Sequence, residues 1–321
     1  MVYVDKTFPE PQFNGINSSC DLLSCLMKFN LHTCLLPFLL LFPPLAWSNM
    51  EFAGDVSIGT NDNVSSAVSG RDIFNDQFLS ANYNLGKLWV PTPGRSFLLR
   101  GHLGLQNFSD SDGLNRTAYG ASLSYAHRLG LGAFAPRINM SARADYRDFE
   151  SNNRDGWLFR TSIGLQKRFS PAWHGSVALT HEHRTADKDN AKSYVAGISG
   201  DVFNQENMEY SASLDYTLAN ASVITLSYLF RDGEIDASTN PGSVFFPFSR
   251  AIANDKNLCG NCKHYVAYLI KAQSSSIMLD WNWALGRDTS LSLNMQRRIA
   301  DTEGNNTYST NIFQLRLNQR F

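Results

Sequence analysis

Residues 136–148 read PRINMSARADYRD, and from Arg137 onward polar and apolar side chains alternate. Ile138, Met140, Ala142, Ala144 and Tyr146 fall on one face; Arg137, Asn139, Ser141, Arg143, Asp145 and Arg147 fall on the other. Successive side chains of a strand point to opposite sides, so this stretch is a strand with one apolar and one charged face. Residues 276–285 repeat the design, with Ile277, Leu279, Trp281, Trp283 and Leu285 opposing Ser276, Met278, Asp280, Asn282 and Ala284. Period-two alternation recurs from Asn49 to the end, and no window carries convincing helical spacing. The chain therefore reads as all-β.

A soluble sandwich also alternates, so segment length and layout must decide between it and a membrane barrel. Segments of about ten alternating residues, separated by very short turns and longer polar loops in turn, are the signature of a transmembrane barrel. The tight connections here are 90–95, 129–136, 169–172, 219–221 and 286–288; polar loops such as 60–76, 108–115, 149–156 and 301–308 fall between them. Every plausible run together gives an odd number of strands, whereas bacterial single-chain barrels have even counts. The run 193–203 is set aside, because it holds two glycines and is flanked by loop-like TADKDNAK and NQEN. Strands are then expected near 51–59, 77–88, 96–107, 116–128, 137–148, 157–168, 174–185, 207–218, 222–233, 274–285, 289–300 and 309–321. The expected fold is a transmembrane antiparallel up-and-down β-barrel of twelve strands, with short periplasmic turns and long extracellular loops. Loops 60–76, 186–206 and 234–273 face outward in that register, and recognition is expected in the last and longest.

The N-terminus reads as targeting sequence. Residues 35–45 (LLPFLLLFPPL) are too short and too rich in proline to span a bilayer as a helix. Met27-Lys28 precedes them with a positive charge and Ala46-Trp47-Ser48 follows, so 27–48 is expected to be a signal peptide cleaved before Asn49. Residues 1–26, polar and acidic, are then an N-terminal extension from a mis-assigned start, and 49–321 is the barrel. Losing Lys6 and Lys28 with Asp5, Glu10 and Asp21 turns 28 basic and 29 acidic residues into 26 of each. A neutral mature chain lacks the basic surplus that nucleic-acid binding needs. Cys20, Cys25 and Cys34 leave with the leader; Cys259 and Cys262 remain, and in an exported protein that lone C-x-x-C is expected to form a disulfide.

The last strand, 309–321 (STNIFQLRLNQRF), aligns Phe313, Leu315, Leu317 and Phe321 on one face and ends on an aromatic carboxy-terminus. That ending resembles the signal by which the barrel-assembly machinery recognises its substrates, and residues 49–321 are similar in layout to Gram-negative outer-membrane barrels. The resemblance implies an outer-membrane location among lipid and lipopolysaccharide. It does not choose among the channels, autotransporter translocators, phospholipase and lipid A deacylase that share twelve strands.

The parity places Arg100, His102, Arg128, Arg137, Arg143, Arg147, Arg160, Arg168, Arg184, Arg231, Arg298, Arg316 and Arg320 inside. Opposing them are Asp55, Asp145, Glu182, Glu209, Asp215 and Asp280. A lumen richer in cations focuses positive potential and favours small anionic solutes. Arg100, Arg137, Arg143 and Arg160, taken to lie at mid-strand depth with Asp145, Glu182 and Asp280 beside them, are the expected selectivity residues. Alternatively the arginines pair with these carboxylates and fill the interior, leaving a surface barrel that binds a partner through its loops. A hydrolase would need His181 or His183, yet the phospholipase pattern of a His followed two residues on by Ser is not met, since the series reads His181, His183, Thr185. Asn61-Asp62-Asn63 offers oxygen atoms of the kind calcium takes, but such a cluster is more often a polar loop. Trp157, Trp173, Trp281, Trp283, Tyr119, Tyr125, Tyr210 and Tyr216 are expected as interface anchors. No cofactor, metal or catalytic residue is expected.

Overall fold

The computed structural model describes residues 50–321 except 69, 71, 188–192, 241–245, 261, 304 and 305. The expected extension 1–26, the signal peptide and its cleavage point lie outside the described residues.

The strands are β1 (Met50–Asn61), β2 (Asp76–Thr92), β3 (Arg95–Phe108), β4 (Arg116–Arg128), β5 (Arg137–Phe149), β6 (Gly156–Arg168) and β7 (Trp173–Ala186). They continue as β8 (Gln205–Thr217), β9 (Val223–Thr239), β10 (Ala251–Asn254), β11 (Val266–Ala284), β12 (Thr289–Thr302) and β13 (Asn306–Arg320). Each pairs antiparallel with its neighbour, β13 returns to β1, and β9 pairs with β11 past the short β10, so twelve strands close a barrel and β10 is additional. Closure leaves the wall no unpaired edge, the condition for a sheet in hydrocarbon.

The pleat sorts the residues as the alternation requires. Leu123, Leu226 and Ile277 point outward and are 52 %, 53 % and 59 % exposed, whereas Ser57, Asp145, Glu182 and Ser276 point inward and are buried. Cross-strand hydroxyl pairs line the inside, among them Ser57–Ser80 at 2.6 Å and Ser141–Ser162 at 2.7 Å. The protein is polar within and apolar without, the inverse of a soluble sandwich.

Outward aromatics form two bands. Tyr119, Tyr146 and Trp157 make one, with ring centroids 5.4 and 5.5 Å apart. Phe97–Tyr125, Trp173–Tyr216 and Trp281–Trp283 make the other, at 4.9, 4.6 and 4.4 Å. β7 runs from Trp173 in the second band to Thr185, the partner of Trp157 in the first. At about 3.3 Å per residue and a tilt of about 40°, that length crosses about 30 Å, the thickness of a hydrocarbon core.

The two ends differ. Connections 93–94, 129–136, 169–172, 218–222 and 285–288 lie at one end with both described termini, where the Phe321 N–H donates to the Phe52 carbonyl at 2.9 Å. The longer connections 62–75, 187–204 and 240–265 lie at the other. Residues 193–203 contribute only isolated bridges, Ser193 to Ala253 and Ser199 to Ala251. Within the long loop expected over 234–273 the structure differs from expectation. β9 and β11 run on past the wall, pairing up to Thr239–Val266, and β10 joins β11 where β12 has ended. The resulting three-stranded flap buries apolar side chains on both faces.

Candidate functional site

Inward positions on the strands build an ion-pair ladder up the middle of the lumen. Arg143 and Arg160 stand directly opposite across β5 and β6, an unfavourable juxtaposition by itself. Two carboxylates relieve it: Arg143 pairs with Asp145, and Arg160 pairs with Glu182, which also accepts from Arg231 at 2.5 Å. Glu209 lies 3.9 Å from both Arg160 and Arg231. Lower down, Arg316 stands 3.9 Å from Asp55, and Asp280 accepts from Asn294 at 3.4 Å.

Of the residues expected to set selectivity, Arg143, Arg160, Asp145 and Glu182 come together in this ladder. Arg137 does not: it is the first residue of β5 at the short-turn rim, where it donates to Ser96 at 3.3 Å. The Arg100 side chain also points towards that rim, paired with Glu51 at 3.3 Å. Mid-strand depth fails for Arg137, where β5 starts, but holds for Arg100, which faces the same Ser122 as Arg143 does and only turns its side chain towards the rim.

Beneath the long-connection end the balance changes. Arg116, at the first position of β4, and Arg147 on β5 face the same cavity, and among the described residues neither has a carboxylate partner. Arg116 lies over the Phe149 ring at 5.8 Å. Arg184 donates to the Arg154 carbonyl at 2.9 Å and lies over Phe149 and Phe203. The cationic surplus of the lumen is thus concentrated at this level. Arg116 shares the inward parity of Arg128 on the same strand, but the lumen set expected from the sequence did not include it.

The flap covers this level. One apolar cluster joins Ile252, Val266, Tyr268 and Ile270 to Ala300 and Tyr308 of the adjoining strands β12 and β13; the other joins Ala251, Ala253, Ala267 and Leu269 to Val202 and Phe203 of the 187–204 connection. Full burial of each large side chain favours the closed arrangement by about 1.5–3 kcal/mol. The far edge is latched by Arg154, which is 5 % exposed and donates to Asp236 at 3.0 Å and Asp255 at 2.8 Å. Ser238 donates to the same Asp255 at 2.6 Å, and the Gly113 N–H reaches the Leu258 carbonyl at 3.2 Å. The flap therefore spans the mouth from β9 and β11 to the β3–β4 and β5–β6 connections, as a cap. None of this was visible in the sequence, where 251–254 is four residues inside a polar loop.

Below the cap, two cavities of about 450 and about 540 Å³ share Asp55, Asn84 and Arg316 in their walls, and the lower one reaches the short turns at Gly286 and Arg287. Solvent space thus extends from that rim up to Arg116 and Arg147.

The other candidates resolve into structure. His181 bonds Glu206 at 2.9 Å on the outer face. Asp62 accepts from both the backbone and the side chain of Asn311, and Asn63 ties the Ala67 and Ser309 carbonyls. Among the described residues no group of three or more His, Cys, Asp or Glu is placed to hold a metal. Cys259 and Cys262 form a disulfide with Cα atoms 5.0 Å apart, next to the buried Leu258 of the cap.

No protein-family model matches the chain, and no curated protein matches its sequence. Among solved structures, an outer-membrane channel from Pseudomonas putida F1 is similar with a TM-score of 0.54 at 12 % identity, over 86 % of this chain and 97 % of that one. The NanC porin gives 0.46 at 7 % identity over 84 % of this chain and all (100 %) of that one. The beta domain of the Bordetella autotransporter BrkA gives 0.42 at 10 % over 85 % and 100 %. The similarity to the Pseudomonas channel is one of fold, and it agrees with the wall, the aromatic bands and the polar lumen described above. The protein is a closed twelve-stranded antiparallel β-barrel, and its fold is that of an outer-membrane channel.

Proposed function

We propose that this barrel resides in the outer membrane, exported through a signal peptide at 27–48, and acts as a narrow pore that prefers small anions and is capped at its outer mouth. The observation that carries the reading is the cationic surplus under the cap: the ladder below is nearly balanced, while Arg116 and Arg147 have no carboxylate within ion-pair distance among the described residues, Glu182 acting on Arg147 only from further off. Fixed charge in a low-dielectric wall raises the local concentration of counter-ions and so sets ion preference. Arg143 and Arg160 act within the ladder, where Asp145 and Glu182 hold their guanidinium groups against the wall; Arg100 adds charge at mid-strand depth, Arg137 shapes the field at the entry rim, and Asp280 offsets it. Phe321 serves as the assembly signal, and lipid and lipopolysaccharide meet the two aromatic bands. No cofactor is needed for this activity.

The test is single-channel recording of the refolded protein in a planar bilayer under a salt gradient. Discrete steps with a reversal potential on the anion side, moved towards cation preference by Arg143→Glu, are the expected result. The buried cap favours one further reading, a non-conducting barrel that binds a partner through its outer surface. A folded, heat-modifiable but electrically silent protein, silent also without its cap, would establish that reading and end the first.

A further inference from the structure

We propose that the chamber beneath the cap is a binding site for a small hydroxylated anion, such as a sugar acid, with Arg116 and Arg147 as its anchors. The inference deepens the pore reading and rests on it. Four cations and two carboxylates line the upper cavity: Arg116, Arg143, Arg147 and Arg316 against Asp55 and Asp145. Arg143 is committed to Asp145, and Arg316 stands nearest Asp55. Arg116 and Arg147 remain without a carboxylate partner among the described residues.

Their placement suits one ligand group. Arg147 pairs across the strands with Ala118, and Arg116 with Phe149, so the two arginines are diagonal neighbours on the inward face. Diagonal neighbours stand about 7–8 Å apart at the backbone, within reach of a shared ligand for side chains of this length. Guanidinium forks match the paired oxygens of a carboxylate or phosphate, and such charge-assisted bonds are about twice as strong as neutral ones. Two unpaired guanidinium groups at one level of a wall repel each other, and a bound anion removes that repulsion.

The rest of the wall selects the body of the ligand. Asn82, Asn84, His102, Gln106, Gln296 and Gln314 line the chamber. Gln106 and Gln296 make no side-chain hydrogen bond among the described residues, which leaves amides to meet hydroxyl groups. At about 450 Å³ the chamber lies within the size range of small-molecule sites, well above one inorganic ion. The cap lies beyond the upper end of the chamber, and the lower cavity opens the chamber to the short-turn rim.

The experiment is calorimetric titration of the refolded protein in detergent micelles with gluconate, beside glucose and inorganic phosphate. Saturable gluconate binding, tighter than phosphate and absent for glucose, is expected. Arg116→Gln with Arg147→Gln should weaken it at least about tenfold while heat-modifiability is retained, and the outward-facing Arg297→Gln should leave it unchanged. No gluconate binding, or binding indifferent to the paired variant, would overturn the site. Phosphate bound as tightly as gluconate would overturn the role given to the amides. The reversal-potential measurement separates the two readings: anion preference without gluconate binding keeps the pore and removes the site, and binding without anion preference does the opposite.

Discussion

Arg154 carries the largest consequence of any single side chain outside the lumen ladder. It sits on the β5–β6 connection, yet its guanidinium bridges Asp236 at the top of β9 and Asp255 beyond β10, with the Phe203 ring 4.5 Å away. Burial alone would lower its pKa, but Asp255 and Asp236 outweigh that and hold it above the ordinary arginine value. A cation with a raised folded pKa stabilises fully below its unfolded value and loses that contribution only as pH rises through the folded one. The arginine side of the latch therefore stays charged, and raising the pH from about 7 to about 9 should leave the conductance trace unchanged on its account. Arg154→Ala should act at once, because it strands two carboxylates against apolar neighbours, a change that typically costs about 3–5 kcal/mol. Longer and more frequent open events in single-channel recordings, with a lower melting temperature, are the expected outcome; unaltered gating would mean that the latch is dispensable.

Residues one position apart on a strand offer a sharper contrast. Leu123 points to lipid and Ser122 to the lumen, where it bonds His102 at 2.7 Å. Leu123→Lys should cost about 2–4 kcal/mol near the middle of the bilayer, and Ser122→Lys far less, as read by urea titration in lipid vesicles. Equal penalties would mean that the strand faces are misassigned.

The elements show how a plain hairpin becomes a cap. β8 and β9 are paired up to Asn207–Gly233; beyond it β9 continues without β8 beside it. Gly233 has φ of +156°, and a Cβ there would collide with the Glu206 carbonyl and the Asn207 side chain. Glycine supplies a backbone geometry that other residues adopt only with strain of about 1–3 kcal/mol. Gly233→Val should therefore unseat the flap while leaving β1–β8 paired, giving protease sensitivity confined to the region around 240–265. The flap can also be removed cleanly. Thr239 and Val266 are directly paired, so replacing 240–265 by a two-residue Asn-Gly turn should preserve the wall and remove β10 together with the Asp255 contacts. Conductance in a planar bilayer should then rise severalfold; an unchanged value would place the constriction in the arginine ladder instead.

At the scale of the whole molecule, the strand limits read from alternation agree with the structure to within a few residues for most of the wall. Period two is a local property, fixed by the pleat and by lipid outside against polar lumen inside. The Arg143–Asp145 and Arg160–Glu182 partners were legible as a set for the same reason: parity alone puts them inside. Their pairing was not, because it depends on which strands adjoin and in what register. Arg154 and the flap escaped altogether. Residues 251–254 (AIAN) are too short to show periodicity, and Ile252 is buried only because Val266 to Ile270, 195–203 and the tops of β12 and β13 come to surround it. By itself the sequence determined an outward-apolar, inward-polar wall of twelve strands, since each strand must satisfy lipid on one face and polar groups on the other. Only the tertiary structure decided that the wall is capped and that the unpaired arginines gather under the cap. Those features arise from contacts between segments a hundred residues apart or more, such as Arg154 with Asp255 and Gly113 with Leu258, and no local pattern encodes such distances.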